Sequence, residues 1–231
     1  MQTCVDNDSN IVNMSLGGAG YSRWEEEAYA RMFENQNVLI VAAAGNDGDA
    51  SYLYPASYDS VVSVGAVNQF ERIASFSQYN NEVDIVGPGV DVQSTVPGNR
   101  YASFDGTSMA APHVAGVAAL VWSHFPSKTA KEVRKALYDS AKDLGTQGRD
   151  DYYGFGLVQA DIAYEFLAGL RTATPTVTPV ECFDSPIGWH DNDGATYNCV
   201  WYSQSDYCFK YGNSFLGLQD KTANEACVSL F

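Results

Sequence analysis

Three runs of apolar residues interrupt a mostly polar N-terminal stretch: Ile11 to Leu16, Val38 to Ala44 and Val61 to Val67. Each is too short for a helix and is bounded by glycine or polar turn residues, so each predicts a buried strand. The second is continuously apolar, as a parallel strand covered on both faces has to be. Between the first two, Arg23 to Glu34 repeats Trp24, Ala28 and Met32 at four-residue spacing, which predicts a helix with those residues on its apolar stripe. Strand, helix and strand make a right-handed α/β crossover. Further on, Ala74 to Ser77, Val83 to Val90 and Gln93 to Thr95 read as short strands and turns. Thr129 to Ala141 is amphipathic, apolar at Val133, Ala136 and Leu137, and Gly145 suits its end. A last helix is expected near Gln159 to Leu167. The pattern predicts an α/β fold: a parallel sheet with helices on both faces.

Sites in such sheets form at the carboxyl ends of strands. Two of those ends are rich in glycine, Ser15-Leu16-Gly17-Gly18 and Gly45-Asn46-Asp47-Gly48. Asn46 reads either as a turn residue or as a side-chain N–H donor toward negative charge on a carbonyl oxygen under attack. A third stretch, Gly106-Thr107-Ser108-Met109-Ala110-Ala111-Pro112-His113-Val114-Ala115-Gly116, is a loop that turns into a helix. Gly106 permits an unusual backbone turn. Ala110, Ala111, Ala115 and Gly116 let the helix pack tightly. Ser108 stands where the helix starts: an ordinary N-cap, or a nucleophile beside free N–H groups and the positive dipole end. His113 lies five residues along the same helix, which turns its ring to a different side, so it reads as structural.

The Gly106–Gly116 string resembles the nucleophile motif of the subtilisin-like serine proteases, and similar stretches extend from about residue 5 to 168. That resemblance implies that Ser108 is the nucleophile and Asn46 the oxyanion-hole donor. The size of such a donor's effect, about 10²–10³ in turnover, is the value established for subtilisin itself, not one worked out from this chain. The resemblance also implies that Ser15, Leu16 and Gly17 pair with a bound peptide. Ala42, Ala43, Ala44 and Gly45 would wall the opposite side of its side-chain pocket. A cis bond at Tyr54-Pro55 and a weak structural cation, calcium, in the loop after it belong to the same set of expectations. Asp105 departs from the family, which has Asn before Gly-Thr-Ser; this should alter a turn hydrogen bond and the local charge.

A serine hydrolase needs a base beside the nucleophile and a carboxylate to orient it, in subtilisins in the order Asp, His, Ser. The histidines here are His113, His124 and His190, and none precedes Ser108. The Asp-Thr-Gly and His-Gly-Thr segments of the family are absent. The expectation is a catalytic domain incomplete at its N-terminus over residues 1–169, carrying nucleophile, oxyanion donor and pocket walls but no base. As written, it should be inactive.

The formal net charge of −15 argues against nucleic acid or an anionic membrane surface as partner. No apolar run is long enough to span a bilayer. A Thr/Pro linker covers 170–181, and a module at 182–231 holds Cys182, Cys199, Cys208 and Cys227. An even cluster in a short terminal segment reads as two disulfides with three pairings open, hence an oxidising compartment. A zinc site is the rival, weakened by the absence of Cys-x-x-Cys. Asp191-Asn192-Asp193-Gly194 echoes part of a calcium loop without its closing Glu. Cys4 stands apart. Together these features predict a secreted, monomeric endopeptidase acting on peptides, without a certain cofactor, whose signal and pro-segment lie upstream. A peptide-binding protein that lost its base, or a surface or carbohydrate binder working through the aromatic terminal module, are the alternatives.

Overall fold

A computed structural model describes residues 2–171. The linker beyond Arg171, the four clustered cysteines, His190 and the Asp191–Gly194 turn lie outside those residues.

The apolar runs become the middle of a four-stranded parallel sheet, in the order β1 (Ile11–Met14), β2 (Leu39–Ala43), β3 (Val61–Val67) and β4 (Ile85–Pro88). Val12 pairs with Ile40, Val41 with Val62, and Val64 with Ile85. Every residue of β2 and β3 is buried. Alternation sends Leu39, Val41 and Ala43 into one core and Ile40 and Ala42 into another. Each fully buried valine of β3 contributes roughly 1.5–3 kcal/mol, enough to hold the central strands' register. β1 differs from expectation. It lies at the edge of the described sheet and is only half buried, with Asn13 exposed and Leu16 63% exposed beyond its end.

One short turn, α1 (Gln2–Val5), precedes β1, and α2 (Arg23–Asn35) crosses from β1 to β2. Ser22 caps α2. Its buried residues are Met32 and Phe33, which feed the two cores, whereas Trp24 is 83% exposed. The four-residue spacing identified the helix but overextended its buried stripe, because a stripe is buried only where another element covers it. The connections from β2 to β3 and from β3 to β4 contain no helix. The first carries the cis Tyr54–Pro55 bond implied by the resemblance.

After β4 comes a hairpin, β5 (Val92–Val96) with β6 (Arg100–Phe104), then the long α3 (Thr107–His124). The carboxylate of Asp105 accepts the Asp91 N–H at 2.6 Å. An Asn carbonyl there could accept the same bond, so the departure shows itself as charge. α3 lies on the sheet through Ala110, Ala111, Val114, Ala115 and Ala118. The approach is close: a Cβ on Gly87 would lie 2.9 Å from the Ala110 carbonyl, and one on Gly89 2.6 Å from the Ala66 Cβ. Gly116, expected to share this packing, instead faces open space. Next come α4 (Ala130–Asp139), opened by a Thr129–Glu132 capping box, and α5 (Ala160–Leu167). Val133, Ala136 and Leu137 are buried as their spacing predicts. Gly145 does not end α4, which stops at Asp139. It occupies a later turn with φ +80°, where a Cβ would sit 2.6 Å from the Asp150 carboxylate.

Candidate active site

The carboxyl ends of β1 and β2 meet the N-terminus of α3. Gly106 is the N-cap of α3, at φ 155° and ψ 156°, a conformation that favours glycine. Of the first-turn N–H groups, that of Thr107 goes to Asn46 and that of Met109 to the Gly106 carbonyl, and the Ser108 N–H has no partner among the described residues. Beyond β2, Ala44 is pinned through its N–H to the Val64 carbonyl at 3.0 Å. Gly45 follows at φ 121°, and a Cβ there would stand 1.5 Å from Gln78 Oε1, so only glycine fits. This chain path delivers Asn46 to the surface above Thr107.

Thr107 orients Asn46. The Thr107 N–H donates to Asn46 Oδ1 at 2.8 Å, and its hydroxyl donates to the same oxygen at 2.9 Å while accepting the Gly45 N–H at 3.1 Å. With Oδ1 held from two sides, the other end of the amide, Nδ2, points away and donates to no protein atom among the described residues. A carbon placed on Gly106 would lie 3.6 Å from Asn46 Nδ2 and 3.6 Å from the Ser108 nitrogen. Two N–H donors therefore flank one small space beside Ser108. Thr107 has no exposed surface. Sequence reasoning passed over it; its place between Gly106 and Ser108, opposite a polar strand end, was the available signal.

Ser108 is half-buried, and its hydroxyl donates to the Ser15 carbonyl at 3.3 Å. In return the Ser15 hydroxyl donates to the Ser108 carbonyl at 2.7 Å and accepts from Asn13 Nδ2 at 3.1 Å. Pro112 explains why that carbonyl is available. Four residues after Ser108, it lacks the N–H that would otherwise close the helical bond. The motif's proline thus leaves an acceptor that ties the end of β1 to the start of α3.

His113 is exposed, and its Nδ1 donates to the Met109 carbonyl at 2.8 Å on its own helix. His124 lies edge-on to Tyr164, with ring centroids 5.3 Å apart. Neither described histidine meets Ser108, so no base stands beside it among the described residues. A hydroxyl, two N–H groups and a helix N-terminus lie together at this end of the sheet.

Residues 1–156 match the subtilase family (Peptidase S8). The chain belongs to the subtilase family. Subtilisin BL of Lederbergia lenta is 47% identical over 158 residues, covering 68% of this chain and 57% of that protein. Alkaline elastase YaB of Bacillus sp. (strain YaB) is 47% identical over 163 residues, or 71% of this chain and 42% of that one. Among solved structures, the psychrophilic subtilisin-like protease Apa1 of Pseudoalteromonas sp. AS-11 superposes with a TM-score of 0.68 at 26% identity, covering 73% of this chain and 72% of the other. The prenylagaramide maturation protease PagA superposes with a TM-score of 0.65 at 32% identity, covering 72% and 65%. The chain spans about half the length of the curated relatives it matches.

In this subtilase, Ser15, Leu16 and Gly17 are exposed along one side of the site. A Cβ on Gly17 would meet the Leu53 side chain at 2.6 Å, and Gly18 and Tyr54 exchange two backbone bonds of 2.8 Å that fix the segment. Opposite, Ala42 has no exposed surface, and Ala43 and Ala44 are 3% exposed. Ala42 and Ala43 pack in the sheet's two cores. Asn46 is the first residue past β2 to reach the surface.

Proposed function

We propose that this chain carries the nucleophile half of a serine endopeptidase site. Ser108 Oγ attacks the carbonyl carbon of a peptide bond while its proton passes to a base outside the described residues. The developing oxyanion is met by Asn46 Nδ2 and the Ser108 N–H. The C–N bond then breaks, the departing amine takes the proton back, and water hydrolyses the ester on Ser108. The observation that carries this reading is the Asn46 amide, clamped through Oδ1 by Thr107 with Nδ2 turned to the space beside Ser108. Ser15, Leu16 and Gly17 would take the peptide as an added strand, with Ala42, Ala43, Ala44 and Gly45 across the pocket. The chemistry itself calls for no cofactor.

The subtilase match and the subtilisin relatives support a peptide substrate. The cysteine cluster at 182–231 supports a secreted protein, which we take to act as a monomer. A second reading, a peptide-binding protein without turnover, is favoured by one observation: the Ser108 hydroxyl donates to Ser15, and no described histidine reaches it. Extending the chain with the coding region immediately upstream and assaying peptide hydrolysis separates the two. On the first reading that region supplies the Asp and His segments, and activity appears that Ser108→Ala abolishes. Peptide binding without hydrolysis in the extended protein establishes the second.

A further inference from the structure

The loop after Pro55 borders an open cavity of about 280 Å³ whose lining includes Asp59, Glu82, Asp84, Arg134, Tyr138 and Arg149. This is where the resemblance implies a weakly held calcium. Calcium takes six to eight oxygen ligands, usually with several carboxylates among them. Among the described residues no three acidic, His or Cys side chains, Asp59, Glu82 and Asp84 included, are grouped so as to hold a metal ion. The cavity instead holds two guanidinium groups. That donor set does not fit a divalent ion.

We propose that Arg149 is itself the cation of this site, a guanidinium standing where a bound metal ion would otherwise be needed. Its Nη2 donates to the Val83 carbonyl at 3.1 Å and also to the Asn81 carbonyl. Two backbone carbonyls converging beside a half-buried carboxylate form a negative cradle that favours a positive occupant. The carboxylate is Asp84, which accepts the Ser63 N–H at 2.9 Å and shares the cavity with Tyr138. Arg134 closes the opposite side, donating to the Asp59 carbonyl at 2.8 Å with its guanidinium 4.1 Å over the Phe33 ring. Arg134 is therefore committed to the loop after Pro55, and Arg149 to the carbonyls at 81 and 83.

The segment that delivers Arg149 is built for the purpose. The Asp150 carboxylate accepts the N–H groups of Thr146, Tyr152 and Tyr153 at 2.8–2.9 Å. Gly154, at φ +57°, lets the turn lie against the Asp84 backbone, where a Cβ would come within 2.2 Å, and the Phe155 N–H donates to the Asp84 carbonyl at 2.7 Å. A short exposed loop is thereby held with its arginine, itself exposed, against the carbonyls of Asn81 and Val83. Arg149 thus joins segments 80–84 and 142–156, while Arg134 ties α4 to the carbonyl of Asp59.

The test is thermal unfolding of the full chain at pH 8 and constant ionic strength, in choline chloride, in KCl, and with millimolar CaCl2. The wild-type midpoint should be the same in all three. Arg149→Ala should unfold about 2–4 °C lower in choline, since it takes the positive charge away from two carbonyls and a half-buried carboxylate, and K⁺ or Ca²⁺ should restore most of the loss. Arg149→Lys, which keeps a positive charge, should lose less and show no ion response. A wild-type midpoint that rises with K⁺ or Ca²⁺ as much as that of Arg149→Ala overturns the proposal, as does an Arg149→Ala loss that neither ion repairs. Should Arg149→Ala not fold in choline, its refolding yield becomes the readout, and equal failure in all three salts overturns it as well. None of these outcomes depends on whether Ser108 is a nucleophile.

Discussion

Asp84 offers a stability measurement whose sign and size follow from its surroundings. Burial pushes its carboxyl up from the ordinary 3.8 to about 6, against the opposing pull of the Ser63 N–H, the Tyr138 hydroxyl, Arg134 and Arg149. At about 1.4 kcal/mol per pH unit, that difference amounts to roughly 3 kcal/mol. The folded chain binds this proton more readily than the unfolded chain does. Between roughly pH 4 and 6 the native state therefore holds more protons, and stability falls as pH rises. The contribution is fully present below about pH 4 and gone above about pH 6. Asp84→Asn keeps an acceptor for the Ser63 N–H but cannot titrate, so subtracting its stability cancels most other groups; Glu82 and Asp59, which share the cavity, are left as the nearest titrating neighbours. Urea unfolding of both proteins from pH 4 to 7 should show the wild type losing about 3 kcal/mol relative to Asp84→Asn. Parallel curves would refute the reasoning. A difference growing in the opposite direction would mean that the two guanidiniums outweigh desolvation.

In the upstream-extended enzyme, Thr107→Val removes one of the two donors holding Asn46 Oδ1; turnover should fall roughly three- to tenfold, the worth of one hydrogen bond, at an unchanged Michaelis constant. Asn46→Ala should cost more turnover, about the 10²–10³ established for subtilisin, and a rise confined to the Michaelis constant would end the oxyanion assignment. Gly45→Ala places a carbon 1.5 Å from Gln78 Oε1 at φ 121°, and a loss of less than about 2 kcal/mol in chemical unfolding would contradict the packing read here. The chain as written should not hydrolyse peptides, and hydrolysis by a purified sample that disappears in Ser108→Ala would disprove this. Limited proteolysis should cut between Leu170 and Glu181 and release a C-terminal fragment about 4 Da lighter than its reduced mass; four free thiols after oxidative folding would remove the disulfide reading.

The apolar runs were legible as strands because a buried parallel strand needs little beyond continuous hydrophobicity. Val61–Val67 matches its run to the residue, and Val38–Ala44 to within one residue at either end. The positions of Ser108 at a helix start and Asn46 past a strand end were legible because glycines mark both turns. The edge position of β1, the exposure of Trp24 and the outward face of Gly116 were not legible, since each depends on which elements lie alongside rather than on local pattern. Only the tertiary structure paired Thr107 with Asn46, 61 positions apart, and Ser15 with Ser108, 93 apart. It also showed that Pro112 matters for the carbonyl it leaves open. Arg149 looked like one charged residue in a polar loop, and nothing in its own neighbourhood named the carbonyls of Asn81 and Val83 as its partners. Local sequence determines which conformation a segment prefers; which polar atoms end up sharing a buried space is decided by long-range packing, where an unmet carboxylate or carbonyl is too costly to leave alone.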